Sequence, residues 1–253
     1  MAYWVIKAIL SPILRVCYRV RVEGLEHVPA DGPVILASNH LSVCDSFFLP
    51  LVLHRRITFV AKAEYFENRK TAWFFRAVGQ IPIKRGGGLA SRRALESALE
   101  VLVGGGVFGI YPEGTRSPDG RLHKGHTGVA RLAVESRAPV LAVAMIGTGE
   151  AQPIGRKVPK LRSPIGIRIS PPMDFSRFHT RPHEPLVLRQ ITDEIMWTLR
   201  ELSGQEYVNS YAKRKDAVEG LGAEPYVAPS HGGGDRNDSF PQGKHPVHIG
   251  PLP

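Results

Sequence analysis

From residue 34 to residue 170 the chain alternates short apolar runs with longer stretches of helical periodicity, and this alternation restricts the fold more than any other feature. The runs at 34–37, 57–61, 80–83, 107–111, 140–145 and 166–170 read as strands. Helical patterns occupy 45–53, 64–77, 89–103, 127–136 and 185–202. In the third of these, Leu95, Leu99 and Leu102 recur at helical spacing, with Ser91 near the start as a cap. Strands alternating with helices predict an α/β fold: a single layered domain with a mixed, largely parallel sheet flanked by helices. With 253 residues, 43% of them hydrophobic, the chain can fill one good-sized core.

The two ends differ from this pattern. Lys7, Arg15, Arg19 and Arg21 break up the first 21 residues, leaving no uncharged stretch near the ~20 apolar residues that span a bilayer. Charge before an apolar core and a small-residue cleavage site, the marks of a signal peptide, are also missing there. At helical spacing Lys7, Ser11, Arg15, Tyr18 and Arg19 share one side, and Val5, Ile9, Ile13, Val16 and Val20 the other. Such a basic amphipathic helix lies in a membrane interface, with Tyr3 and Trp4 at headgroup level, or covers the protein's own core. The segment 217–253 is rich in Gly, Pro and His without an apolar period, and reads as a disordered tail. The expected organisation is therefore an N-terminal amphipathic membrane-associating helix over 1–21, a folded domain over 22–216 and the tail.

Composition narrows the partners. Cys17 and Cys44 form no disulfide framework or metal-ligand spacing, which fits a reducing compartment. A formal charge of +10 favours an acidic partner: nucleic acid, an anionic membrane surface or a phosphorylated small molecule. The cations are scattered and no nucleic-acid motif accompanies them, so nucleic acid is not expected.

Three polar segments interrupt the apolar pattern. In "NHLSVCD" (39–45), His40 and Asp45 are five residues apart. On a continuous helix they would diverge by roughly 140°. They can meet only if His40 lies in the loop after a strand and Asp45 opens the next helix, where the macrodipole favours an acid. That loop falls at the carboxyl end of a strand, where open α/β sheets collect ligands. "YPEGTRS" (111–117) follows another strand. It combines Gly114 for close backbone approach, the Thr115 hydroxyl, and the Arg116 fork suited to phosphate oxygens. "GQIPIKRGGG" (79–88) ends a short strand in Lys84, Arg85 and three glycines; it offers cations to a phosphate or is simply a basic turn.

Together these segments resemble the glycerolipid acyltransferases, most closely the bacterial 1-acylglycerol-3-phosphate acyltransferases. "NHLSVCD" matches their Asn-His-x4-Asp signature, "YPEGTRS" their (Phe/Tyr)-Pro-Glu-Gly-Thr-Arg-Ser block, and "QIPIKR" their intervening block ending in Arg. "APVLAVAMIG" (138–147) is similar to their fourth block, with Ala142 where the second proline usually stands; in "QIPIKR", Lys84 stands before the Arg where an acid is common.

The resemblance implies transfer of a fatty acyl group from acyl-CoA or acyl carrier protein to the sn-2 hydroxyl of 1-acylglycerol-3-phosphate. Another lysophospholipid or glycolipid is the alternative acceptor, and a non-catalytic lipid-binding role the alternative to catalysis. His40 is implied as the general base, oriented by Asp45. Arg85 and Arg116 would hold the phosphate, Glu113 and Gly114 would contact the acceptor beside Thr115, and Lys124 occupies a position often basic in the family. Backbone N–H groups at the Gly114–Thr115 turn would face the oxyanion. The implied partners are a lysophospholipid, the acyl donor and a membrane surface, with no cofactor and no metal. The implied location is peripheral, on the cytoplasmic face of the cell membrane.

Neighbouring residues are assigned blander roles. Cys44 invites an acyl-cysteine, yet the implied mechanism needs no enzyme nucleophile, so a buried small residue is expected. His123 and His126 lack the Glu and third ligand of a zinc site. Asn39 is expected to fix the loop. Trp73, Phe74 and Phe75 are either core or the lining of an acyl or membrane-facing surface.

Overall fold

A computed structural model describes residues 2–67, 69–83 and 87–213. The expected tail over 217–253 and the expected phosphate ligand Arg85 lie outside the described residues. The helices are α1 (Ala2–Cys17), α2 (Asp45–Val52), α3 (Glu64–Glu67), α4 (Arg69–Ala77), α5 (Gly87–Val103), α6 (Gly128–Ser136), α7 (Thr148–Ala151) and α8 (Pro185–Ser203). The strands are β1 (Arg19–Glu23), β2 (Val34–Ser38), β3 (Ile57–Lys62), β4 (Ile81–Ile83), β5 (Val107–Ile110), β6 (Leu122–His123), β7 (Val140–Ile146), β8 (Pro164–Ile169) and β9 (Tyr207–Val208).

Seven strands form one sheet in the order β1-β8-β7-β2-β5-β3-β4. Every pair in it is parallel except β7 with β8. The α/β fold with a mixed, mostly parallel sheet is therefore the one expected. β2 occupies the middle, and all five of its residues are buried, because a parallel strand covered on both faces needs apolar side chains in both directions. Ile35 and Ala37 face a core built with Leu102 of α5, Leu132 of α6 and Ile191 and Ile195 of α8. Val34 and Leu36 face the opposite core, with Phe48 and Leu49 of α2. β6 and β9 form a small separate pair that brings the chain after α8 back beside the loop following β5.

The N-terminal boundary differs from expectation. The helix ends at Cys17 rather than 21, and residues 19–23 become strand β1, paired in parallel with β8. Val20 and Val22 pack on the α2-side core while Arg19, Arg21 and Glu23 alternate outward, so a period of two displaces the helical period.

The orientation of α1 is more informative than its length. Toward α2, Tyr3 donates to Pro50 O at 3.5 Å, Ser11 donates to Leu51 O at 3.1 Å, and the Lys7 ammonium bonds Leu53 O. Three side chains thus supply donors at the carbonyl-rich end of α2, where intrahelical partners run out. Tyr3 is consequently buried rather than lying at an interface. The opposite face carries Trp4, Val5, Ile9, Ile13 and Val16, from 50% to 85% exposed. The apolar stripe points away from the protein. Among the described residues no helix is long and apolar enough to cross a membrane.

Candidate active site

The site grows from the ends of β2 and β5 at the centre of the sheet. After Ser38 the chain leaves β2 in a loop, and Asp45 opens α2. His40 Nδ1 lies 3.0 Å from Asp45 Oδ2. The same oxygen accepts the backbone N–H groups of Leu41 and Ser42, each at 2.8 Å. An ionised carboxylate only accepts, so Nδ1 carries the shared proton and Nε2 is left with its lone pair. Asp45 is 1% exposed, and its second oxygen, Oδ1, is buried without a partner among the described residues. The expected loop-to-helix break between the two residues is present.

The start of the loop is fixed by Asn39. Its Oδ1 accepts the Met145 N–H at 2.7 Å, and its Nδ2 donates to Met145 O at 3.0 Å and Gln205 Oε1 at 2.6 Å. Ser42 and Cys44 are tied to a third segment: the Ser42 hydroxyl reaches Gln152 O at 3.0 Å, and the Cys44 thiol lies 2.9 Å from Gln152 Oε1. Burial pushes the Cys44 thiol up from its ordinary value.

The loop after β5 completes the floor. The Tyr111 ring stacks on the His40 imidazole, with centroids 3.8 Å apart and planes 11° apart, and it also stacks with Phe59. Its hydroxyl bonds the Ser46 hydroxyl at 2.9 Å. Burial, reinforced by the Asp45 charge, pushes the Tyr111 hydroxyl well above its ordinary value. Gly109 is required beneath this stack, because a Cβ there would sit 2.2 Å from the Phe59 ring.

Glu113 is 1% exposed, and both its oxygens are engaged: Oε1 accepts the His40 N–H at 3.2 Å and Oε2 the His123 N–H at 2.9 Å. Burial raises its carboxyl to about 7, against the pull of those two bonds. Glu113 therefore braces two loops from behind instead of facing an acceptor as expected. Gly114 takes a φ of 71°, and its N–H closes a turn onto Tyr111 O at 2.9 Å, which removes it from the expected oxyanion role.

His40 lines a cavity of about 780 Å³. Tyr3 and Leu10 of α1, Phe47 and Leu51 of α2, and Phe74 and Phe75 of α4 make much of its wall apolar. This resolves the aromatic cluster: Phe74 and Phe75 line the cavity, while Trp73 is 61% exposed. Gly114, Thr115 and Arg116 line it as well, and Arg116 forms no ion pair among the described residues. Lys124 is not part of this wall; its ammonium lies 5.9 Å from the centre of the Tyr211 ring. Lys213, which no local motif marks, lines the cavity because the β6–β9 pairing returns the chain there.

The paired histidines serve structure. His123 is buried, with Nε2 3.0 Å from Asp119 Oδ1, and His126 stacks on Tyr211. Among the described residues no group of three His, Cys, Asp or Glu side chains could hold a metal. The departure at Ala142 has a local use: its N–H donates to Ser170 Oγ at 2.9 Å, a bond proline could not make.

Chemically, the arrangement places the His40 imidazole, paired with Asp45, at a largely apolar cavity that also presents an unpaired guanidinium. The chain is similar to a chloroplast 1-acyl-sn-glycerol-3-phosphate acyltransferase of Arabidopsis thaliana, 33% identical over 139 residues, covering 54% of this chain and 39% of that protein. It thus spans about two fifths of the chloroplast relatives from Arabidopsis thaliana and Brassica napus. The 1-acyl-sn-glycerol-3-phosphate acyltransferase of Bacillus subtilis is 28% identical over 150 residues, covering 58% of this chain and 73% of that one. The crystal structure of the 1-acyl-sn-glycerophosphate acyltransferase of Thermotoga maritima superposes with a TM-score of 0.59 at 28% identity, covering 79% of this chain and 78% of that one. The family model described as Acyltransferase matches residues 19–146, half of the sequence and all of the His40, Asp45 and Arg116 loops. This chain belongs to the acyltransferase family.

Proposed function

We propose that the protein transfers a fatty acyl group from acyl-CoA or acyl carrier protein to the sn-2 hydroxyl of 1-acylglycerol-3-phosphate, forming phosphatidic acid. The observation that carries this reading is the His40–Asp45 pair at an apolar-walled cavity shared with the unpaired Arg116. His40 Nε2 takes the proton of the acceptor hydroxyl as its oxygen attacks the thioester carbonyl carbon. The tetrahedral intermediate then collapses, the C–S bond breaks, and the imidazolium returns the proton to the departing thiolate. Asp45 holds the ring's tautomer and stabilises the imidazolium, as in a Ser-His-Asp triad but with the substrate hydroxyl as nucleophile. The thioester supplies the activation, so no cofactor is required. Arg116 holds the acceptor phosphate through a charge-assisted fork, with Thr115 beside it and Arg85 as the family block implies.

The reaction takes place at a membrane surface. The outward apolar face of α1, from Trp4 to Val16, supports a helix lying in the bilayer interface. A net charge of +10 suits the anionic cytoplasmic leaflet. To test the reaction, purified protein is incubated with labelled acyl-CoA or acyl carrier protein and a panel of lysophospholipids and glycolipid acceptors. Labelled phosphatidic acid from 1-acylglycerol-3-phosphate is the expected product. Preferential labelling of another lysolipid assigns a different acceptor, and no labelling of any acceptor refutes the transferase reading.

A further inference from the structure

The segment 153–162, between α7 and β8, contains four cations and no acid. Arg156, Lys157, Lys160 and Arg162 are all exposed, and none forms an ion pair among the described residues. Among them Val158 and Leu161 stand 68% and 61% exposed. The acyl-transfer chemistry uses none of these six side chains. Large apolar side chains held in water among unneutralised cations are the composition of a surface that meets lipid.

The loop is held in shape at both ends. Gln152, 8% exposed, donates from Nε2 to Arg156 O at 3.2 Å and Lys157 O at 3.1 Å, while its Oε1 receives the Ser42 hydroxyl and the Cys44 thiol of the His40 loop. At the far end the Arg162 N–H donates to Cys17 O at 2.8 Å, on the last residue of α1. Arg162 shares a cleft of about 320 Å³ with Arg15, Val16 and Arg19. Val16 is also the last residue of the outward apolar face of α1, so the end of the loop at Arg162 adjoins that face. Ile154, near the loop's start, lines the cavity that holds His40.

We propose that segment 153–162 is a second membrane-binding element, which seats Val158 and Leu161 among the acyl chains of an anionic leaflet while Arg156, Lys157, Lys160 and Arg162 meet its phosphates. This rests on the membrane reading of α1 given above. The loop then fixes the rotation of the protein about α1 and holds the cavity wall at Ile154 against the leaflet. An acidic protein would answer the cations but not the two exposed aliphatic side chains among them, and the loop's end adjoins the outward apolar face of α1, so the bilayer is the occupant.

The test uses the full chain and sedimentation with vesicles of phosphatidylcholine alone or mixed equally with phosphatidylglycerol. Each cation near an anionic surface changes partitioning about fivefold. The triple variant Arg156→Gln/Lys157→Gln/Lys160→Gln is expected to lose about a hundredfold on mixed vesicles and little on neutral ones. Val158→Ser/Leu161→Ser is expected to lose about a hundredfold on both. Ile9→Ser/Ile13→Ser serves as the α1 control, and circular dichroism melts verify that each variant folds. If both loop variants bind like the wild type while the α1 variant detaches, the loop proposal is overturned and the α1 reading stands. If the wild type binds neither vesicle, the membrane reading fails and takes the loop with it. Intact vesicle binding by the triple variant, with lost binding to an acidic acyl carrier protein, assigns the loop to a protein partner and also overturns the proposal.

Discussion

Replacing Glu113 by Gln tests whether the brace behind the His40 loop is a buried, titrating carboxyl. Its pKa is raised from the ordinary 4.5 to about 7, chiefly by burial. At 1.36 kcal/mol per unit, that difference is worth about 3 kcal/mol between the folded and unfolded states. Because the folded value is the higher one, the folded protein holds this proton more tightly than the unfolded chain. Its contribution to stability is complete below pH 4.5 and is lost as pH rises to about 7. Above that, the folded state carries an ionised carboxylate sustained by the His40 and His123 N–H groups. Glutamine does not titrate, and its single oxygen leaves one of those two N–H groups unpaired, at a cost of about 1–3 kcal/mol. Urea unfolding of wild type and Glu113→Gln at steps from pH 4.5 to 8 isolates the titration, since all other groups are common to both. The wild-type stability is expected to fall by about 3 kcal/mol relative to the variant across that window. Curves that stay parallel would refute the reasoning.

Three further outcomes follow from the geometry. Gly114→Ala forces a Cβ onto a residue at φ 71° and within 3.2 Å of the His126 ring, and should lower stability by about 1–2 kcal/mol in the same unfolding assay. Arg116→Ala should raise KM for a phosphate-bearing acceptor by about 10- to 100-fold, the scale of a hydrogen bond to a charged group, and leave transfer to an uncharged monoacylglycerol unaffected; equal losses on both would remove the phosphate role. Cys44→Ala should keep transfer within about twofold, because a buried thiol with a raised pKa is a poor nucleophile. An acyl-enzyme trapped in the wild type and absent from that variant would overturn it.

The parts of this architecture written locally could be read from the sequence. β2 and β7 announce themselves as continuous apolar runs because both of their faces are covered. The His40–Asp45 contact follows from a five-residue gap across a helix start. What escaped reading depends on distant partners. β1 looked like the end of a helix because Val20 fell in phase with Val16, and only pairing with β8, some 140 residues away, makes it a strand. Tyr111 carries no local sign that it will lie against His40, and Glu113 none that both of its oxygens will be consumed by backbone. Lys213 reaches the cavity through the β6–β9 pair. The amphipathic character of α1 was plain, but the direction of its apolar face was not. That direction follows from carbonyls at the end of α2, which draw Tyr3, Lys7 and Ser11 inward.

In the proposed mechanism His40, held by Asp45, removes the proton from the acceptor hydroxyl. The most direct measurement compares acyl transfer to 1-acylglycerol-3-phosphate by wild type and His40→Ala at matched, verified folding. A loss on the order of 10³-fold in kcat, with KM for the acceptor little changed, is the predicted result. A folded His40→Ala protein that retains transfer within tenfold of the wild type would contradict the account.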